Sequence, residues 1–224
     1  MRIAALGLLA AFSFPSISAA QAPSGVPVFD ITPLSSNVKF EVKASVAIRG
    51  KFDKWGATLT FESPDVSTGV LEINIQADSV DTGSGMKNRK LKGKDFFDVE
   101  HFPQITFKST RIVPISHEHF EVDGDLTIRG VSNPEKLTLA LSHKESHLGD
   151  IHGKMVFDRK QYGMNKGIPF ISIADHVEIN IHLQTKHTGG PQLELKEKIP
   201  SSEEKNGPSR RADSTCLLTE LTPS

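Results

Sequence analysis

Apolar and polar residues alternate with a period of two along most of this chain, from Phe29 to about Lys186. That period marks strands with one face in a core and the other in water. Val38, Phe40 and Val42 alternate with Lys39, Glu41 and Lys43, and Ala57, Leu59 and Phe61 with Thr58 and Thr60. Leu71, Ile73 and Ile75 follow the same rule, as do Ile105 and Phe107, then Phe120, Val122, Gly124, Leu126 and Ile128. Leu137, Leu139 and Leu141, then Met155 and Phe157, and a clean final run of Val177, Ile179, Ile181 and Leu183 complete the set. With a short strand at Val46 to Phe52, about eight or nine strands are expected.

Gly, Asp, Asn and Pro turns separate these runs, and no helical period lies between successive pairs. An all-β antiparallel barrel or sandwich follows, and closure into a barrel is favoured because it removes exposed edges. An eight-stranded barrel is just wide enough to be filled by its own side chains or to hold one slender ligand. The segment Asp81 to Phe97 breaks the period: Thr82-Gly83-Ser84-Gly85 turns, and Met86 to Leu91 suits a short helix capping one end. After His187 the residues become polar and unpatterned, so 188–224 reads as a disordered tail that buries too little to offset ordering.

Met1-Arg2, the uncharged apolar run Ile3 to Phe14 and the small residues Ser16 to Ala20 read as a secretory signal peptide cleaved near Ala20. The expected organisation is therefore 1–20 signal peptide, 21–187 barrel domain and 188–224 tail, with the mature protein periplasmic or secreted. The run is shorter than the ~20 residues a membrane-spanning helix needs, and no transmembrane segment is expected. Cys216 is the only cysteine, so the chain cannot close a disulfide with itself. Lys and Arg number 26 against 27 Asp and Glu, which argues against a general nucleic-acid binder. Thirteen Phe against one Trp and one Tyr supply apolar area without polar handles, suited to a dry core or a greasy cavity.

Signals for catalysis are sparse. His117 and His119 flank Glu118, and His143, His147 and His152 gather near Glu145 and Asp150, but without helical spacing they read as solvated loop histidines rather than metal ligands. No Gly-x-Ser-x-Gly elbow and no Gly-rich phosphate loop is present. Met86-Lys87-Asn88-Arg89-Lys90-Leu91-Lys92-Gly93-Lys94 holds five cations in nine residues and no acid. It is either a solvated loop face or a site for an anionic head group, and Phe96, Phe97 and Phe102 follow directly.

Several short motifs occur in a fixed order: Phe29-Asp30-Ile31, Gly50-x-Phe52, Asp78-Ser79-Val80-x-Thr82-Gly83, Leu91-Lys92-Gly93-Lys94-Asp95-Phe96-Phe97-Asp98, Phe102-Pro103-x-Ile105-x-Phe107, Gly124-x-Leu126-Thr127-Ile128-Arg129-Gly130-Val131 and Arg159-x-x-x-Gly163-Met164. Across about residues 28–185 this order resembles the YceI family. One departure is Lys87-Asn88, where members often carry Arg-Asp.

The resemblance implies an extended lipocalin-like barrel with a long apolar tunnel that binds a polyisoprenoid or similar long-chain lipid in the bacterial periplasm. On that reading the protein is a non-catalytic carrier, with a bound isoprenoid or acyl-chain lipid and no other cofactor or metal. The inward sets supply the expected cavity wall: Phe40, Val42, Leu59, Phe61, Ile73, Ile75, Ile105, Phe107, Leu126, Leu139, Met155, Phe157, Ile179 and Ile181. Alternation does not say which of them border a cavity and which close the gaps around it. Lys87, Arg89, Lys90 and Lys92 are the expected head-group contacts. Burial at ~25 cal/mol per Å² lets roughly 300 to 400 Å² of ligand chain supply about 7 to 10 kcal/mol before ordering costs. Two rival readings stay open: an adaptor module for an envelope or membrane redox protein, and an enzyme working on a lipid head group through Asp95 or His101. Pairing of two copies through a barrel edge is compatible with the architecture.

Overall fold

The computed structural model describes residues 25–194, apart from 46, 146–147 and 168–171. The expected signal peptide, Cys216 and the tail beyond Glu194 lie outside the described residues. Eleven strands form one curled antiparallel sheet: β1 (Val28–Ile31), β2 (Asn37–Ala44), β3 (Ile48–Phe52), β4 (Trp55–Thr60), β5 (Val70–Gln76), β6 (Val80–Asp81), β7 (Gln104–Pro114), β8 (His119–Ile128), β9 (Val131–Glu145), β10 (Leu148–Asp158) and β11 (Ile173–Gly189). The one α-helix among the described residues, α1 (Gly85–Lys92), falls in the segment where the period of two breaks.

Two bends reduce the eleven observed segments to nine runs, against the eight or nine expected. β3 and β4 are one run turned at Asp53-Lys54, and β5 and β6 are one run turned at 77–79. The two runs pair along both halves, and across the bend Gln76 N–H donates to Lys54 O and Asp53 N–H to Ser79 O. Counting each run once, the ladder passes from β2 through these two runs to β7, β8, β9, β10 and β11, and back to β2. At the α1 end the circuit thus closes through the bend at 77–79, where β6 pairs with β3 and β5 with β7. At the opposite end β1 takes the place of β2 beside β11, and Phe29 meets Phe61 at 5.8 Å between ring centroids.

Local chemistry explains the corners. Between Ile128 and Val131 the chain reverses in two residues, with Arg129 at φ 55° and Gly130 at φ 71°, the primed turn that matches strand twist. A register shift between Ser109 and Arg111 bulges β7, and the buried Ser109 hydroxyl accepts the Leu71 N–H at 2.8 Å, satisfying an amide the bulge would orphan. Residues 188–194, assigned to the tail from sequence, continue the fold. β11 pairs with β1 through Gly189, Leu193 packs on the core, and Glu194 pairs with Asp65.

Candidate functional site: an apolar cavity under a basic helix

The inner faces of β2, β3, β5, β7, β8, β10 and β11 enclose an apolar cavity at the α1 end of the barrel. The cavity volume is about 80 Å³. Eleven of the fourteen expected wall residues border it: Phe40, Val42, Ile73, Ile75, Ile105, Phe107, Leu126, Met155, Phe157, Ile179 and Ile181. Leu59, Phe61 and Leu139 do not line it. Phe61 is buried against Phe29 at the far end, and Leu59 and Leu139 pack half-buried on the core. Alternation identifies the inner face of a strand but not the height along the barrel, so residues of the filled end and of the hollow end look alike in sequence.

Two glycines keep the bore open. A Cβ on Gly50 would stand 2.5 Å from Phe40 Cζ, and one on Gly124 would stand 2.6 Å from Phe107 Cζ. Each aromatic ring lies over a neighbouring strand's missing side chain instead of projecting into the cavity.

The rest of the strand lining follows the same alternation. Val38, Ile48, Phe52, Ile128 and Val177 continue the alternation by one more step, and Ile173 begins β11. Leu91 of α1 and Phe96 and Phe97 after it close the end. Phe40, Phe52 and Phe97 form a chain of tilted rings with centroids 5.6 and 5.8 Å apart. Backbone bonds hold this cap to the helix, with Phe97 N–H donating to Leu91 O at 2.9 Å and Val99 N–H to Lys92 O at 3.1 Å.

Among the described residues Arg159 is the one polar side chain lining the cavity, and it is 6% exposed. Its guanidinium donates to the backbone carbonyls of Ala174, Met164 and Lys166 and to the Asp175 carboxylate at 3.1 Å. It thereby ties the 159–166 turn, with Met164 on the cavity wall, to β11. The Lys160 ammonium, hydrogen-bonded to Asp175 at 2.8 Å, holds that carboxyl below its ordinary range, with Arg159 adding to the effect. Tyr162, fully buried, stacks edge-on against Phe157 and donates to Glu135 at 2.9 Å. Desolvation raises the Glu135 carboxyl, and the Tyr162 hydrogen bond opposes that rise in part.

Of the basic helix, only Leu91 reaches the cavity lining; Lys87, Arg89, Lys90 and Lys92 do not. Lys90 Nζ pairs with Asp95 at 2.8 Å and sits 5.7 Å from the Phe96 ring centroid. This hydrogen bond keeps the Asp95 carboxyl below its ordinary value. Asn88 accepts from Thr82 N–H and Thr82 Oγ1 and donates to Asp81. It clamps the turn ahead of the helix.

The histidines are not loop residues throughout. His119 lies on β8, His143 on β9 and His152 on β10; His147 is outside the described residues. His152 stacks on His182 at 4.7 Å on the outer face, and His182 Nε2 meets the buried Asp150 at 3.1 Å. Register places His119, Ala140, His152, His182 and Asn37 in one cross-strand row. Outward polar positions carry no apolar signal, which is why these strands read short. Among the described residues no three His, Cys, Asp or Glu side chains are grouped to hold a metal ion.

With this geometry in view, the model of the YceI-like domain matches residues 29–185, most of the chain. The chain belongs to the YceI family. The family description adds no activity by itself. A UPF0312 protein of Vibrio cholerae is 28% identical over 132 residues, covering 58% of this chain and 68% of the relative. The crystal structure of BcnA from Burkholderia cenocepacia superposes with a TM-score of 0.63 at 28% identity, over 69% of this chain and 99% of that one. A polyisoprenoid-binding domain from Saccharophagus degradans shares the fold at a TM-score of 0.57 and 12% identity, over 71% and 98% of the two chains.

Proposed function

We propose that this YceI-family protein encloses the apolar chain of one isoprenoid or acyl lipid, and carries or sequesters it in the periplasm without chemical conversion. The observation that carries the reading is the cavity at the α1 end, walled by apolar side chains from seven strands and the cap, with Arg159 as its single polar member among the described residues. Such a wall gains free energy from any slender apolar chain and requires no specific polar contact. The name of the Saccharophagus neighbour points to the same ligand class. Export rests on the N-terminal run of residues 1–20. The Arg159 guanidinium already donates four hydrogen bonds to the protein, which suits a structural post better than a catalytic group.

Val42→Trp and Ile179→Trp each fill the bore, while Val156→Trp places the same side chain on the exposed outer face of β10. Titration with a fluorescent fatty acid should give at least about tenfold weaker binding for either inner variant and unchanged binding for the outer one. Equal binding by all three, with folded proteins by circular dichroism, would remove the cavity from the account.

A further inference from the structure

We infer that α1 is a docking surface for an anionic lipid bilayer, set at the end of the barrel where the cavity lies. Its purpose, passage of a lipid between bilayer and cavity, rests on the function proposed above; docking itself is measured separately.

At 100° per residue the two faces of α1 divide cleanly. Leu91 is buried on the cavity, and Asn88 faces the turn at 81–82, so these define the inner side. On the opposite side stands Met86, with Arg89 and Lys90 three and four positions on, and Lys87 and Lys92 at the flanks. Met86 is 76% exposed, the highest value among the exposed large apolar side chains described, and it contributes nothing to the core. One exposed apolar side chain beside several cations can act at a membrane surface: the charges attract anionic head groups and the apolar group enters below them.

The local acids offset this face only in part. Asp95 pairs with Lys90 and cancels that one cation, Asp98 pairs with His101 at 2.9 Å, and Asp81, bound to Gly83 N–H and Asn88, keeps its charge near Lys92. Among the described residues no carboxylate lies within ion-pair distance of Lys87, Arg89, Lys92 or Lys94. Since none of these cations lines the cavity, their charge is directed away from an enclosed ligand. The inner side of the same helix walls an apolar space, so a bilayer docked on the outer side would sit one helix diameter from it. That continuity favours a lipid surface over an acidic protein as the occupant.

The full chain is sedimented with vesicles of phosphatidylglycerol mixed with phosphatidylcholine and with vesicles of phosphatidylcholine alone. Binding to the anionic vesicles only, weakened by salt, is expected. Lys87→Gln with Arg89→Gln should lower the affinity about tenfold or more, and Met86→Asp should lower it severalfold. Equal binding to both vesicles, no binding to either, or no response to these substitutions would each overturn the inference. No docking of the unsubstituted chain to either vesicle, with lipid still present in a solvent extract, refutes the docking alone. A lipid-free extract with docking intact refutes the cargo reading alone.

Discussion

Gly50 tests the packing logic of the cavity. Its inward position on β3 faces Phe40 across the ladder, and a Cβ there would meet Phe40 Cζ at 2.5 Å, Cε1 at 2.6 Å and Asp81 O at 2.9 Å. Ordinary contact begins near 3.4 Å, so the ring must retreat by about 0.9 Å (3.4 − 2.5), and the open direction is the cavity that it lines. Overpacking of this kind costs roughly 1–3 kcal/mol. At about 2–4 °C per kcal/mol for a domain of this size, Gly50→Ala should lower the melting temperature by roughly 2–12 °C.

Gly56→Ala is the matched control. Gly56 is also in a strand, but faces outward with nothing within 4 Å of a Cβ, and should be neutral or slightly stabilising. Phe40→Leu removes the two clashing ring atoms, so the Gly50→Ala, Phe40→Leu double variant should lose less than the sum of the single losses, by about 0.5–3 kcal/mol. Chemical denaturation of the four proteins closes the cycle. Additive losses, or a Gly50→Ala protein as stable as Gly56→Ala, would refute the claim that the missing side chain parks the Phe40 ring.

Arg159→Met should cost about 1–3 kcal/mol in denaturant unfolding, because it leaves the Met164, Lys166 and Ala174 carbonyls without their donor, while Asp175 keeps its pairing with Lys160. Arg159→Lys should recover little of it, since a single ammonium cannot reach that fork of acceptors. Ser109→Ala should cost about 1–3 kcal/mol by leaving the Leu71 N–H unpaired in the bulge, and Ser109→Thr should recover part of it. For Glu135 the folded-state value lies above the ordinary 4.5, so its contribution to stability is present below that value and lost as pH rises through the folded one. Glu135→Gln retains an acceptor for Tyr162, and its melting temperature should equal or exceed the parent's at neutral pH, with the advantage vanishing in acid.

The strands were legible because one wet and one buried face impose a strict period of two, and the short helix because Asp81 to Phe97 violates it. The bends at Asp53-Lys54 and 77–79 were not, since a strand that turns a corner keeps its alternation on both sides. Position along the barrel was equally hidden. Phe61 and Phe107 carry the same pattern, yet one plugs the far end against Phe29 and the other borders the cavity. The direction of the basic residues on α1 depends on which side the helix lays down, and only Leu91 and Asn88 in their contacts settle that. Arg159 carried no apolar signal and entered the sequence reading only within Arg159-x-x-x-Gly163-Met164. Its role is visible only once Ala174 and Asp175 are brought beside it.

The central claim is that the cavity holds the chain of a lipid. Protein purified from its native host, confirmed folded by its strand-rich circular dichroism, is extracted with organic solvent and the extract analysed by mass spectrometry. About one long-chain isoprenoid or acyl lipid per protein molecule is the expected result. A folded protein whose extract contains no such lipid would contradict the account.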